Sequence, residues 1–175
     1  VAIVGAGGAG KSTLARELAA LTGLPLIHLD VLFWRPGWVE TPKDEWHRIH
    51  ADLLAGERWI IDGNYGGEME PRIAAADTVL FLDLPRLVCV WGAIRRQWQW
   101  RHGGRPDAAP GLRERIDLAF LWWIFRYPER SKPAVLRRLA ALPATTAVHR
   151  LRSRRAIRDY LAGVEAAAAP TATAA

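Results

Sequence analysis

Val1-Ala2-Ile3-Val4-Gly5-Ala6-Gly7-Gly8-Ala9-Gly10-Lys11-Ser12-Thr13 is the stretch on which the reading of this chain turns. Val1 to Val4 is a β-branched apolar run that halts at a glycine, the pattern of a short buried strand. Gly5 to Ser12 then match G-x-x-x-x-G-K-[ST] in full. Leu14, Leu18 and Leu21 follow at helical spacing, and Gly23 with Pro25 closes that helix. Strand, glycine loop and helix form the context in which such a loop wraps a phosphate. Its N–H groups turn inward, which bulky side chains would block, and the helix N-terminus adds its dipole. Gly5, Gly7, Gly8, Ala9 and Gly10 are therefore expected to cradle the phosphates of ATP. Lys11 is expected to reach the β- and γ-phosphates, Ser12 to hold Mg²⁺ through its hydroxyl, and Thr13 to touch the α-phosphate. A loop of this kind fixes nucleotide binding and leaves kinase, switch and motor open.

Working outward, Leu26 to Leu29, Trp59 to Asp62, Thr78 to Leu82 and Thr145 to Leu151 read as four more strands. Between them lie helical patterns: one opened by Thr41 as N-cap with Pro42, one from Pro85 to about Arg101, one over 113–126, one capped by Ser131 and a last one capped by Ser153. Short apolar strands alternating with helices predict an α/β fold, a five-stranded parallel sheet with helices on both faces. Ligands of such sheets sit at the carboxyl ends of the strands. One domain over 1–162 is expected, with a small lid at about 101–113. The Ala-rich residues 163–175 read as a disordered tail.

Three carboxylates fall at strand ends: Asp30, Asp62 and Asp83. A small phosphotransferase needs one carboxylate near the acceptor and another for the Mg²⁺ hydration shell. Asp30 and Asp62, at strand ends, suit these two tasks. Asp83, next to Pro85, reads as a strand-end cap. Trp34 and Trp38 pack the substrate-side helices or stack a ligand. Gly63 lets the backbone approach a ligand, and Asn64 and Tyr65 offer it hydrogen-bonding groups. Arg72 either holds an acceptor anion or forms a salt bridge. The substrate side thus comprises Asp30, Trp34, Asp62, Asn64, Tyr65 and Arg72. Residues 102–111 (HGGRPDAAPG) contain Arg105 and are flanked by Arg95, Arg96 and Arg101 before and Arg113 and Arg115 after, and a closing lid that carries some of these arginines would neutralise the transferred phosphoryl group and exclude water.

Composition bounds the rest. The 175 residues are half hydrophobic and 24% charged, which is globular composition. The single Cys excludes an internal disulfide framework and any two-cysteine metal site. No apolar run approaches the length of a membrane span, and the chain opens on VAIVG with no basic leader, so a soluble cytoplasmic protein is expected. The net charge of +6 is uneven: residues 1–87 carry 8 Lys/Arg against 12 Asp/Glu, and 88–175 carry 16 against 6. Residues 126–158 hold ten basic side chains and one acidic.

GAGGAGKST, LPLIHLDVLFWRPGW, WIIDGNY, ADTVLFLDLPR, the arginine-flanked loop and VHRLRSRRAI together resemble the bacterial P-loop proteins known as DNA topology modulation proteins, which are adenylate-kinase-like in fold. The similarity spans roughly residues 1–162. It implies a nucleoside-monophosphate-kinase-like core with strand order 2-3-1-4-5. It also places Asp30 on the acceptor side, Asp62 beside Mg²⁺, Arg96 and Arg105 in the lid, and Arg152 with Ser153 near the adenine. Two departures stand out. Gly92 occupies a position where the family pattern has a basic residue, and no DGFPR-type motif follows Asp62 to hold an acceptor phosphate.

Two functions follow from this reading. The first is an ATP-dependent phosphotransferase acting on a small acceptor. The second is an ATP-dependent nucleic-acid-binding regulator, motivated by residues 126–158 and testable as steeply salt-dependent DNA binding. No zinc finger, RRM signature or clear helix-turn-helix supports the second. Either is compatible with a monomer, or with a dimer through the apolar helix over 113–125.

Overall fold

The computed structural model describes residues 1–101, 107 and 118–168. Among these the chain runs through β1 (Ala2–Gly5), α1 (Lys11–Thr22), β2 (Leu26–His28), α2 (Leu29–Phe33), β3 (Trp34–Arg35), β4 (Val39–Glu40), α3 (Lys43–Leu54), β5 (Ile60–Asp62), α4 (Met69–Ala74), β6 (Thr78–Leu82), α5 (Arg86–Gln99), α6 (Leu118–Arg130), α7 (Lys132–Ala140), β7 (Ala147–Leu151) and α8 (Arg154–Ala168).

Five strands pair in parallel as one sheet in the order β2-β5-β1-β6-β7. β3 and β4 form a separate antiparallel hairpin, Trp34 opposite Glu40 and Arg35 opposite Val39. The expected order 2-3-1-4-5 numbers the sheet strands alone and omits this hairpin, which enters the chain between the second and third of them. Nothing in RPGW had marked two strands this short.

The period of two along the strands sorts their side chains between two cores. Ile3, Leu80 and Leu82 face a cluster with Leu14 and Leu18 of α1, Ala93 of α5 and Ile124 of α6, flanked by Ile157 and Leu161 of α8. Ala2, Val4, Val79 and Phe81 face the opposite cluster, with Trp46 of α3, Ile73 of α4 and Leu139 of α7. Val79 to Leu82 are fully buried. A strand covered on both faces reads as continuous apolar sequence, as TVLFL does. Truncating Phe81 to Ala would cost about 3–5 kcal/mol in such a core.

Several boundaries differ from the sequence reading, each for a local reason. β2 ends at His28, and Leu29 is already helical, so Asp30 sits in the first turn of α2 rather than at a strand end. Thr41 does not cap α3. Its hydroxyl donates back to Leu32 O (3.0 Å) and Phe33 O (2.9 Å), tying the hairpin to the end of α2, and Pro42 takes the cap position. Ser131 makes no side-chain cap bond, whereas the Ser153 hydroxyl accepts from Ala156 N at 3.1 Å. α8 continues through Gly163 to Ala168, so residues 163–168 are helical where a tail was expected, and residues 169–175 lie outside the described residues. α6 carries Pro128 inside it and extends to Arg130. Residues 113–117 of the helix read over 113–126, and most of the expected lid, lie outside the described residues. Among the described residues no helix is long and apolar enough to cross a membrane.

Candidate active site

The site lies where β1, β2 and β5 end. Ile3 pairs with Asp62, and Asp62 with His28, so three chain segments reach the carboxyl edge of the sheet side by side. The glycine-rich loop then rises from Gly5. Gly8 (φ 73°) and Gly10 (φ 95°) take left-handed conformations that side chains resist, and Gly10 is the N-cap of α1. The loop is pressed beneath α5. A Cβ on Gly8 would lie 2.0 Å from Cys89 O, and one on Gly92 would lie 2.2 Å from Gly8 O. Gly92, the departure from the resembled pattern, is thus the residue that lets helix and loop touch backbone to backbone.

Lys11 Nζ donates to Gly5 O and Ala6 O, both at 3.0 Å. Burial pushes its pKa down; Asp30 and Asp62 oppose that and Arg96 adds to it, so all three charges lie within electrostatic reach of the amine. Asn64 grips the same loop from the other side: Gly5 N donates to Asn64 Oδ1 (3.0 Å) and Asn64 Nδ2 donates to Gly5 O (2.7 Å). Gly5 is therefore held at both of its backbone groups by a residue that the chain supplies only after β5.

Asp62 is buried and meets His28 Nδ1 at 2.6 Å through Oδ1. His28 was not anticipated. Only the register of β2 with β5 brings it to Asp62, and no spacing in the sequence carries that information. Asp30 Oδ1 accepts from Tyr65 OH at 2.6 Å. Tyr65 holds φ 41° and Trp38 φ 63°, both left-handed and both costly for large side chains. The hairpin presents Trp34 and Trp38 edge to face, with centroids 5.3 Å apart, and Phe33 packs on Trp34 at 4.9 Å.

These groups share one cleft of ≈ 940 Å³. Gly7, Gly8, Gly10, Lys11, Ser12 and Thr13 line it together with Asp30, Trp34, Asp62, Asn64, Tyr65 and Arg96. Arg16, Trp38, Glu40, Phe120 and Trp123 line it as well. Of these, only Trp38 was weighed from the sequence. Glu40 arrives through the unanticipated hairpin. Phe120 and Trp123 arrive because α6 folds over the loop, its Ile124 lying 3.1 Å from where a Gly7 Cβ would be.

Of the expected site residues, Gly5 and Ala9 belong to the loop without lining the cleft, and Arg72 and Arg152 fall elsewhere. Arg72 does not reach the cleft. It is fully buried, its NH2 donating to Gly63 O (2.7 Å) and Asn64 O (2.8 Å), with NH1 beside His50 Nε2 at 3.2 Å. Burial pushes its pKa down to about 10, so it stays cationic at neutral pH. It braces the segment that grips Gly5 instead of holding an acceptor anion. Arg152 lines a separate cavity of ≈ 760 Å³, with Asp83, Tyr127 and Lys132. Arg105 lies outside the described residues. Of the expected lid, Arg101 folds back on Trp98, donating to its carbonyl at 2.9 Å, and Asp107 accepts from Arg16 at 3.3 Å.

Among the described residues no three His, Cys, Asp or Glu side chains cluster as a metal site. Ser12 and Asp62 supply two hard oxygen donors in the cleft, a set that suits an ion sharing its coordination with phosphates and water rather than one caged by protein.

No protein-family model and no curated protein matches the chain. Among solved structures, a protein from Chloroflexus aurantiacus described as a "putative kinase" superposes with a TM-score of 0.51 at 17% identity, over 95% of this chain and 97% of its own. At that identity the likeness is one of fold: the chain has a kinase-like α/β architecture.

Proposed function

We propose that the protein is an ATP-dependent phosphotransferase, a P-loop enzyme that moves the γ-phosphoryl group of ATP to a hydroxyl of a small acceptor. One observation carries the reading: the glycine-rich loop with Lys11 opens onto the same cleft as Asp30 and Asp62. Loop N–H groups and the start of α1 would bind the phosphate chain. On binding, Lys11 would exchange its two carbonyl partners for β- and γ-oxygens, and its charge would oppose the negative charge of the transferred group. Ser12 would bind Mg²⁺ directly and Asp62, oriented by His28, would hold its hydration shell; the ion, when bound, neutralises phosphate charge. Arg96 reaches the cleft from α5 and would stabilise the equatorial oxygens. Asp30, positioned by Tyr65, would take the acceptor proton as the hydroxyl oxygen forms its bond to phosphorus and ADP departs. The sequence resemblance to the P-loop topology modulation group supports the same chemistry.

Incubation with Mg-ATP and a metabolite pool tests it. Acceptor-dependent ADP release that disappears in Lys11→Ala with the fold retained is the expected result. Release that persists in that variant, or is absent with every pool, refutes it.

The nucleic-acid reading gains no comparable support. In the basic stretch 126–158, Lys132 and Arg150 are bound to Asp83, Arg138 pairs with Glu70 and Arg155 with Asp159.

A further inference from the structure

We propose that His50 is a positioning residue for the glycine-rich loop: as a neutral hydrogen-bond acceptor it fixes Arg72, and through Arg72 it holds the turn that clasps Gly5. Its consequence for nucleotide binding rests on the phosphotransferase reading; the contacts themselves do not.

His50 belongs to α3 and is fully buried, away from the residues that line the cleft. Its Nε2 stands 3.2 Å from NH1 of Arg72, which is fully buried as well. A guanidinium only donates, so Nε2 must present its lone pair and the ring proton must sit on Nδ1. Nδ1 faces Trp46 O, one turn back on the helix, at 3.4 Å. Both ring nitrogens are thus committed, and a second proton would aim an N–H at a buried cation. Arg72 has little to replace that acceptor. Its Nε is buried with no partner among the described residues, and its NH2 already serves Gly63 O and Asn64 O. Asn64 in turn clasps both backbone groups of Gly5. A second link is aromatic: the Trp46 ring meets His50 edge to face at 4.4 Å and Tyr65, the partner of Asp30, at 5.0 Å.

The titratable groups facing His50 are Arg72 of α4, Glu68 at the cap of α4, and His47 on its own helix. Burial and then the Arg72 charge push the imidazole pKa down, and His47 adds to this. Glu68 and the Trp46 carbonyl oppose it, but Glu68 is turned to His47, and the net direction is down from the ordinary value of about 6.5. With the folded value depressed, a proton is taken up more readily when the turn opens. Closure of the turn is therefore complete above about pH 6.5 and is lost as pH falls from there through the folded value.

The test follows the full chain by nuclear magnetic resonance from pH 8 to pH 5 without nucleotide, and measures binding of Mg²⁺ with the non-hydrolysable analogue AMP-PNP by calorimetry over the same range. The His50 ring should titrate below pH 6.5, and the amide resonances of Gly5, Gly63 and Asn64 should move with the same midpoint. His50→Gln gives Arg72 a neutral oxygen at every pH. It should bind AMP-PNP within twofold of the unaltered protein at pH 8, while the unaltered protein loses at least threefold more affinity than this variant between pH 8 and pH 5. That ratio cancels titration of the ligand and of the other histidines. His50→Leu should bind at least fivefold more weakly at both ends of the range. A His50 ring charged at neutral pH, amides that do not follow it, equal pH dependence in His50→Gln, or unchanged affinity in His50→Leu overturns the proposal; the first two need no variant to fold. If AMP-PNP binds and the amides ignore His50, the positioning role fails while the nucleotide site stands. If the amides follow His50 and AMP-PNP binds at no pH, the positioning role stands and the phosphotransferase reading fails.

Discussion

The two sides of the cleft are built on opposite plans. The loop side is largely backbone: glycines in left-handed conformations, a helix N-terminus and Lys11 within residues 5–13, with Arg16 of α1 and Arg96 of α5 beside them. The other wall is made of side chains, drawn from α2, the β3–β4 hairpin and the turn after β5. Under the proposed phosphotransferase reading, the phosphate chain is the same for every donor nucleotide, so a short fixed segment can serve it, whereas acceptors differ, and a wall assembled from several segments can be altered at one place without disturbing the loop. Asn64 joins the two plans, since it grips Gly5 with its side chain while its own carbonyl is held by Arg72.

The contrast breaks most clearly at Lys11. Lys11→Ala should reduce kcat about 10³-fold, roughly 4 kcal/mol of transition-state stabilisation, with little change in Tm by circular dichroism. An acceptor titration without nucleotide should be unaffected. A large loss of acceptor binding would show that the two sides are not independent.

Glycine substitutions probe the loop's backing. Gly92→Ala places a methyl against Gly8 O, and overpacking of that kind costs about 1–3 kcal/mol. ATP affinity should fall by about ten- to a hundredfold in calorimetry. Gly163→Ala, in α8 with open space around it, should instead raise stability by about 0.5–1 kcal/mol in urea unfolding.

Asn64→Ala removes the two bonds to Gly5. At about 1 kcal/mol each the change should weaken ATP binding roughly tenfold or more in calorimetry. Unchanged ATP affinity would mean that the clasp on Gly5 does not shape the loop.

The smallest effect lies away from both sides. Burial pushes the Asp83 carboxyl up, but bonds from Lys132 and Arg150 outweigh it and hold the pKa below the usual carboxylate value of 3.8. With the folded value depressed, the unfolded chain binds the proton first, so this stabilisation is present above about pH 4 and is lost as pH falls through the folded value. Asp83→Asn should flatten the acid limb of stability measured between pH 5 and pH 2, with catalysis at neutral pH unchanged.

Legibility in the sequence follows the distance over which information is carried. The strand before Gly5, the loop and α1 were readable because their constraints are local: apolar run, glycines, helical spacing. The buried strands Ile60–Asp62 and Thr78–Leu82 were readable because burial on both faces leaves an unbroken apolar run. Arg72 misled because an arginine near a phosphate loop suggests an anion, whereas here its guanidinium satisfies the carbonyls of a buried turn. Thr41 misled because the hydroxyl that could cap α3 found closer acceptors at the end of α2.

By itself the sequence determined that the chain alternates strands and helices, that a glycine-rich loop running into Lys11 and Ser12 follows the first strand, and that Asp30 and Asp62 fall near the ends of later ones. Those properties depend on neighbours within a turn or two of chain. Only the tertiary structure decided that His28 meets Asp62, that Asn64 clasps Gly5, that Gly92 admits the loop beneath α5, and that Trp34, Trp38 and Glu40 line the same cleft as the loop. Each of those contacts depends on strand register or helix packing across many residues, and the free energy that fixes them is the burial of the two cores on either face of the sheet.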